Sequence, residues 1–172
     1  MNETRTVRPA PQVVGMTLFI TSEVMFFGAL IGSFLALDPT PPQDHTGLLV
    51  PLALTAVLLS SSITAHLAST ALAQEQKAAR WLWLTLALGA CFLVGQGYEY
   101  ANLPFGPGDS AFATLFFTLT GFHGAHVAAG LVMLAAVAGA GAPARPTEAV
   151  VYYWHFVDGV WLAVFTTAYL VR

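Results

Sequence analysis

The stretch AFATLFFTLTGFHGAHVAAGLVMLAAV, from Ala111 to Val137, contains no Asp, Glu, Lys or Arg. A helix needs roughly 20 mostly apolar residues to cross a bilayer, and this run exceeds that length. Working outward, four more runs qualify: about Val13 to Leu37, about Leu48 to Ala73, Trp81 to about Tyr100, and about Ala149 to Val171. All are too long and too uniformly apolar for the alternating strands of a membrane barrel, and an isolated span must satisfy its own backbone in lipid. The sequence therefore predicts an all-α fold: an integral membrane bundle of five transmembrane helices.

Composition points the same way. Of 172 residues, 56% are hydrophobic and only 9% charged, against about a quarter charged in soluble domains. Six Lys+Arg against nine Asp+Glu, a net charge of −3, leave no basic surface for nucleic acid. The single cysteine, Cys91, lies inside the third run, which excludes an internal disulfide framework or a cysteine cluster. Residues 1–12 read as a short polar tail and not as a cleavable signal, because the apolar run behind them is too long and carries Glu23. Residues 13–171 then form one membrane domain, punctuated by loops such as Asp38-Pro-Thr-Pro-Pro42, Pro104 to Asp109 and Gly139 to Thr147.

Basic residues set the expected orientation. Arg5, Arg8, Lys77, Arg80 and Arg145 fall on the side of the N-terminal tail and the second and fourth loops; only Arg172 falls on the other. Positive charge is retained in the cytoplasm, so the N-terminus is expected inside and the C-terminus outside.

Ionisable groups inside the spans cost about 2.5 to 3.5 kcal/mol each at the bilayer centre and so mark sites of interest. Glu23 lies about 15 Å past Val13 at roughly 1.5 Å per residue, near mid-membrane. Asp158 is at comparable depth, with His155 one turn away. His123 and His126 occupy the middle of the fourth span, His66 the cytoplasmic half of the second, and Glu99 the outer end of the third. Residues three or four apart share a helix face, which pairs His123 with His126 and His155 with Asp158. Gly28 and Gly32 form a GxxxG pattern, and Gly121, Gly124, Ala125, Ala128 and Ala129 give the fourth span small faces suited to close helix approach. The four tryptophans Trp81, Trp83, Trp154 and Trp161 suit an interfacial belt or helix packing.

Three uses of these groups compete. They could ligate a metal, though the Glu-x-x-His pattern of dinuclear carboxylate sites is missing. They could line a proton or solute path, though most lie in one layer and no transporter repeat is evident. Or they could hydrogen-bond across helices and specify the packing.

Four segments carry a resemblance: Gly15-Met-Thr-Leu-Phe-Ile-Thr-Ser-Glu23-Val-Met-Phe-Phe27, Gln96-Gly-Tyr-Glu99-Tyr100, Phe116-Phe-Thr-Leu-Thr-Gly-Phe-His123-Gly-Ala-His126-Val127, and Tyr153-Trp-His155-Phe-Val-Asp158-Gly-Val-Trp161. Together, in this order, they resemble the signature segments of the cytochrome c oxidase subunit III family of haem-copper terminal oxidases. The likeness covers nearly all of Gly15 to Val171. It implies a non-catalytic accessory subunit that binds no haem or copper itself, those groups residing in partner subunits. Such a subunit packs directly on subunit I, in a complex with subunit II and others. It also holds structural phospholipid and supports proton uptake and durability during oxygen reduction.

Residue by residue, the resemblance makes Glu23 the intramembrane glutamate beside a lipid cleft. It assigns His123, His126, His155 and Asp158 to a buried polar network, and matches Glu99 to the glutamate near the outer end of its helix. His66 is grouped with the same polar set, and Arg8 and Arg145 become candidate lipid-headgroup contacts. The chain starts about where the third helix of the long seven-helix form would start, which resembles the five-helix subunits of bacterial oxidases. The implied setting is a proton-translocating aerobic oxidase in the bacterial cytoplasmic membrane. The alternatives are a related subunit associated with nitric oxide reductase, and an independent transporter or metalloenzyme.

Overall fold

The computed structural model describes residues 11–37, 47–74 and 77–170, with side chains from residue 14 onward in the first segment. Five helices are long and apolar enough to cross a membrane among these residues, and no strand occurs. They are α1 (Pro11–Leu37), α2 (Leu49–Ala73), α3 (Ala79–Asn102), α4 (Ala111–Gly139) and α5 (Ala144–Phe165), which runs on into a π-helical turn, Thr166–Leu170.

Helices α2, α3, α4 and α5 form a ring in which each packs on the next and α5 closes against α2. Short connections force such sequential neighbours to run antiparallel. Helix α1 stands outside the ring, laid along α5 with a lesser contact to α4. Its Leu18, Val24, Met25 and Leu35 face outward, as do Leu49, Val94 and Val132 on other helices. In water such a belt would be a liability; against lipid tails it is the expected surface.

Local chemistry fixes the helix ends. Ser110 caps α4, its hydroxyl accepting from the Ala113 N–H at 3.0 Å, which satisfies a donor with no partner in the first turn. At the other end Ala142 N–H reaches the Val137 carbonyl at 2.8 Å and Gly141 N–H the Ala138 carbonyl at 3.2 Å, the paired bonds of a Schellman turn. Gly141 supplies the φ of +81° that this turn needs. Helix α5 then starts at Ala144, earlier than the Ala149 expected from hydropathy. Pro146 does not prevent this. It sits in the first turn, where its missing N–H would have had no helical partner.

Close approach of helices occurs at glycines other than the expected pair. A Cβ on Gly89 of α3 or Gly130 of α4 would lie 2.6 Å and 2.8 Å from the Trp154 ring, so the indole of α5 fills the space that two absent side chains leave. Gly95 likewise admits Leu54 and Gly124 admits Gln96. Gly28 and Gly32, by contrast, have nothing within 4 Å. Among the described residues the GxxxG of α1 therefore makes no close packing. A second cluster closes one end of the bundle, where Phe105 of the α3–α4 loop is buried and stacks edge-on with Phe112, Phe116 and Phe117.

Candidate functional site: a buried polar network

The first junction joins α1 to the ring. Glu23 Oε2 lies 3.0 Å from His126 Nε2, both side chains partly buried. The other ring nitrogen, Nδ1, is 2.8 Å from the Phe122 carbonyl, which can only accept, so Nδ1 carries a hydrogen. The Glu23 contact then holds one further proton, either on the carboxyl or on Nε2. The pair is neutral in both arrangements, which is how an acid and a base can sit together at this depth. Tyr153 of α5 donates its hydroxyl to the His126 carbonyl at 3.0 Å, and Phe27 packs edge-on against the imidazole.

The second junction is a seam between α2 and α5. Trp161 Nε1 donates to Thr55 Oγ1 at 2.9 Å, Trp154 Nε1 donates to Ser61 Oγ at 2.9 Å, and Ser62 Oγ lies 2.6 Å from His155 Nδ1. Thr55 and Ser61 donate their own protons back to the carbonyls of Pro51 and Leu58, leaving lone pairs for the indoles. Each buried donor on the seam thus finds an acceptor.

Helix α3 is tied in by four further contacts. Thr85 and Thr64 place their hydroxyls 2.7 Å apart. Tyr100 and Thr120 are 2.6 Å apart; because Thr120 donates to the Phe116 carbonyl, Tyr100 is the donor between them. Gln96 donates to the Thr120 carbonyl at 3.1 Å, and Tyr169, carried by the π-helical turn, donates to Glu99 Oε1 at 3.1 Å.

The structure divides the pairs that spacing had joined. His123 and His126 lie about 60° apart round α4, enough to address different neighbours. His126 turns to α1, while His123 is fully buried in the ring, between Trp161 at 4.8 Å and the edge of Phe92 at 5.8 Å. Neither nitrogen of His123 has a hydrogen-bond partner among the described residues, and the buried Asp158 has only a contact with the Ser62 side chain that falls short of ordinary hydrogen-bond geometry. His155 bonds to Ser62 and not to Asp158. His66 is exposed on α2, one turn from Ser62, and Arg145 is exposed in the first turn of α5. Arg8 lies outside the described residues. Among the described residues no three of His, Cys, Asp and Glu converge as a metal-binding group.

Of the four tryptophans, Trp154 and Trp161 are core residues, Trp83 is exposed, and Trp81 receives the Arg80 guanidinium 5.0 Å from its ring centroid. Sequence inspection passed over the hydroxyls Thr55, Ser61, Ser62 and Thr120. A signal for the first three existed. Thr55 and Ser62 are two turns apart, as are Trp154 and Trp161, so antiparallel helices bring the two sets into register.

The family model described as cytochrome c oxidase subunit III matches residues 2–171. The chain is similar to the cytochrome c oxidase subunit 3 of Thermostichus vulcanus, at 34% identity over 94% of this chain and 88% of that one. It is 37% identical to a probable cytochrome c oxidase subunit 3 of Nocardia farcinica over 96% of this chain and 90% of that one. With the cytochrome c oxidase subunit 3 of Corynebacterium diphtheriae the identity is 36% over the same shares. On the match of sequence over nearly its whole length, with five helices able to span a membrane, the chain belongs to the cytochrome c oxidase subunit III family.

Proposed function

We propose that the chain is the accessory subunit III of a proton-translocating aerobic oxidase in a bacterial cytoplasmic membrane, with its N-terminus inside and its C-terminus outside. It packs on subunit I beside subunit II, leaves electron transfer to haem and copper held by those partners, and supports proton uptake and durability during turnover. Phospholipid is bound along its flanks, with Arg145 and Arg8 as headgroup contacts at the cytoplasmic side.

One observation supports this most: the polar residues within the spans serve mainly to join helices. Glu23 with His126, Trp161 with Thr55, Trp154 with Ser61, and His155 with Ser62 each link two elements, while His123 and Asp158 stay buried and do not converge with a third ligand among the described residues. A catalytic centre would need converging, unspent ligands or acid–base groups. The open GxxxG face of α1 is available for lateral contact with a partner helix or lipid.

The test is to isolate the oxidase from strains with and without this chain. Haem content and initial oxygen consumption per haem are expected to persist, while activity decays sooner during sustained turnover. Loss of haem or copper in proportion to the missing chain would contradict the accessory role.

A further inference from the structure

Helices α1 and α2 both pack on α5 and make no substantial contact with each other. Because α1 also touches α4, which closes the far side, the open face of α5 lies between α1 and α2. A groove of about 410 Å³ runs along it, with Val24, Gly28 and Ile31 on the α1 wall and Phe156, Gly159 and Ala163 on α5. A Cβ on Gly28 or Gly159 would meet nothing within 4 Å, so the groove has room at both glycines.

Polar groups beside this groove select its occupant. His155 precedes Gly159 by one turn and is partly buried; its Nδ1 meets Ser62 of α2, and its Nε2 is neither bonded nor sealed inside. His66, one turn beyond Ser62, is exposed and lies within electrostatic reach of His155. Its ring makes no hydrogen bond among the described residues. Glu23, Glu99, His123, His126, His155 and Asp158 are all buried or partly buried, which leaves His66 as the exception.

Depth makes that exception costly. Helix α2 runs from Leu49 to Ala73, so His66 lies five residues past its centre, about 7.5 Å at roughly 1.5 Å per residue. That is well inside a hydrocarbon half-thickness of about 15 Å. A short imidazole there cannot extend to the headgroups as a lysine or arginine stem does, and ionisable groups inside spans face protein partners. Two imidazoles with open nitrogens on one face are complemented by an acid. A carboxyl offers an oxygen to each ring, and sharing a proton with one of them limits the charge left in lipid. The chain already uses this chemistry where Glu23 of α1 meets His126 of α4.

We propose that the face of α5 between α1 and α2 receives a transmembrane helix of subunit I, which packs closely at Gly28 and Gly159 and presents an aspartate or glutamate carboxyl to His66 and His155. This contact rests on the accessory-subunit reading above and adds to it the face used and the chemistry of the partner. Lipid tails match the groove but bring no acceptor to this depth. A second copy of the chain, meeting face to face, would set imidazoles against imidazoles.

The experiment is photo-crosslinking in native membranes, with benzoylphenylalanine at Leu162, on the open face of α5, or at Val94 of α3, across the ring; both residues are exposed. Each tagged chain is then purified in mild detergent. A crosslink from position 162 to a subunit I helix is expected, its peptide carrying an acidic residue within the span, and none from position 94. In parallel, His66→Leu and Gly159→Leu should lower the amount of this chain retained per haem roughly fivefold or more. His66→Gln, whose amide can still donate to a carboxyl, should keep more of it. Both leucines replace exposed residues, so the isolated variants should melt as wild type does. If haem subunits copurify but position 162 reaches only lipid or another copy of the chain, the docking face is wrong while the oxidase reading stands. Wild-type retention of both leucine variants would overturn it equally. Absence of haem subunits even from the wild-type preparation would overturn the oxidase reading, and this contact with it.

Discussion

Glu23 of α1 and His126 of α4 meet at 3.0 Å, and this contact ties the one helix outside the ring to the ring itself. Helix α1 has limited contact with α4 and otherwise leans on α5, so the pair carries much of the polar specificity of its docking. Because His126 Nδ1 is committed to the Phe122 carbonyl, whatever stands at position 23 must satisfy Nε2.

Glu23→Gln preserves that bond, since a glutamine amide can donate to Nε2. Its thermal stability in detergent is expected to stay within about 1 kcal/mol of wild type, whereas Glu23→Leu strands Nε2 and costs about 1 to 3 kcal/mol. Paired melting curves check the order. A loss with glutamine as large as with leucine would show that the pair depends on a full ionic charge.

Trp154 sits where Gly89 and Gly130 leave room. Gly89→Ala pushes a methyl to 2.6 Å from the indole, too close for a fully buried ring to escape, and should cost about 1 to 3 kcal/mol. Gly28→Ala meets nothing within 4 Å and is expected to leave the chain's own stability unchanged. Trp154→Phe in the Gly89→Ala background should recover part of the loss, and its failure to do so would place the strain elsewhere.

On the α2–α5 seam, Trp154 donates to Ser61. A double-mutant cycle of Ser61→Ala and Trp154→Phe should return a coupling of about 0.5 to 1.5 kcal/mol, the net worth of one intramolecular hydrogen bond. Strict additivity would mean that the seam is held by packing alone.

Phe105 belongs to a loop yet is buried against three phenylalanines. Phe105→Ala is expected to destabilise the protein by about 3 to 5 kcal/mol, as for an aromatic removed from a core. Changing the neighbouring exposed Pro107 to Ala should have little effect. Proteolysis of this loop, followed against time, separates the two.

These contacts show what could be read from the chain alone. The helices were legible because lipid demands long apolar runs, and Glu23, His123, His126, His155 and Asp158 were legible because ionisable groups are rare inside such runs. Their partners were not. A hydroxyl such as Ser61 or Thr55 can bond its own helix backbone and so gives no sign in sequence of also accepting from a tryptophan across an interface. Spacing also misled at two places. His123 and His126 share a helix sector broad enough to face different neighbours, and at the GxxxG of α1 an added Cβ would meet nothing within 4 Å among the described residues while glycines on α3 and α4 take the close contacts. The start of α5 was placed late because Arg145 and Pro146 depress hydropathy without preventing a first helical turn.

An accessory part of an oxygen-reducing complex must travel with the subunits that hold the haem and copper. The most direct measurement is affinity purification of the tagged chain in mild detergent, with mass identification of its partners, an absorption spectrum and an oxygen electrode. The subunit III assignment predicts copurification of subunits I and II, a haem spectrum from those partners, and oxygen consumption. Recovery of the chain alone and without haem, or with a complex that reduces nitric oxide and not oxygen, would contradict it.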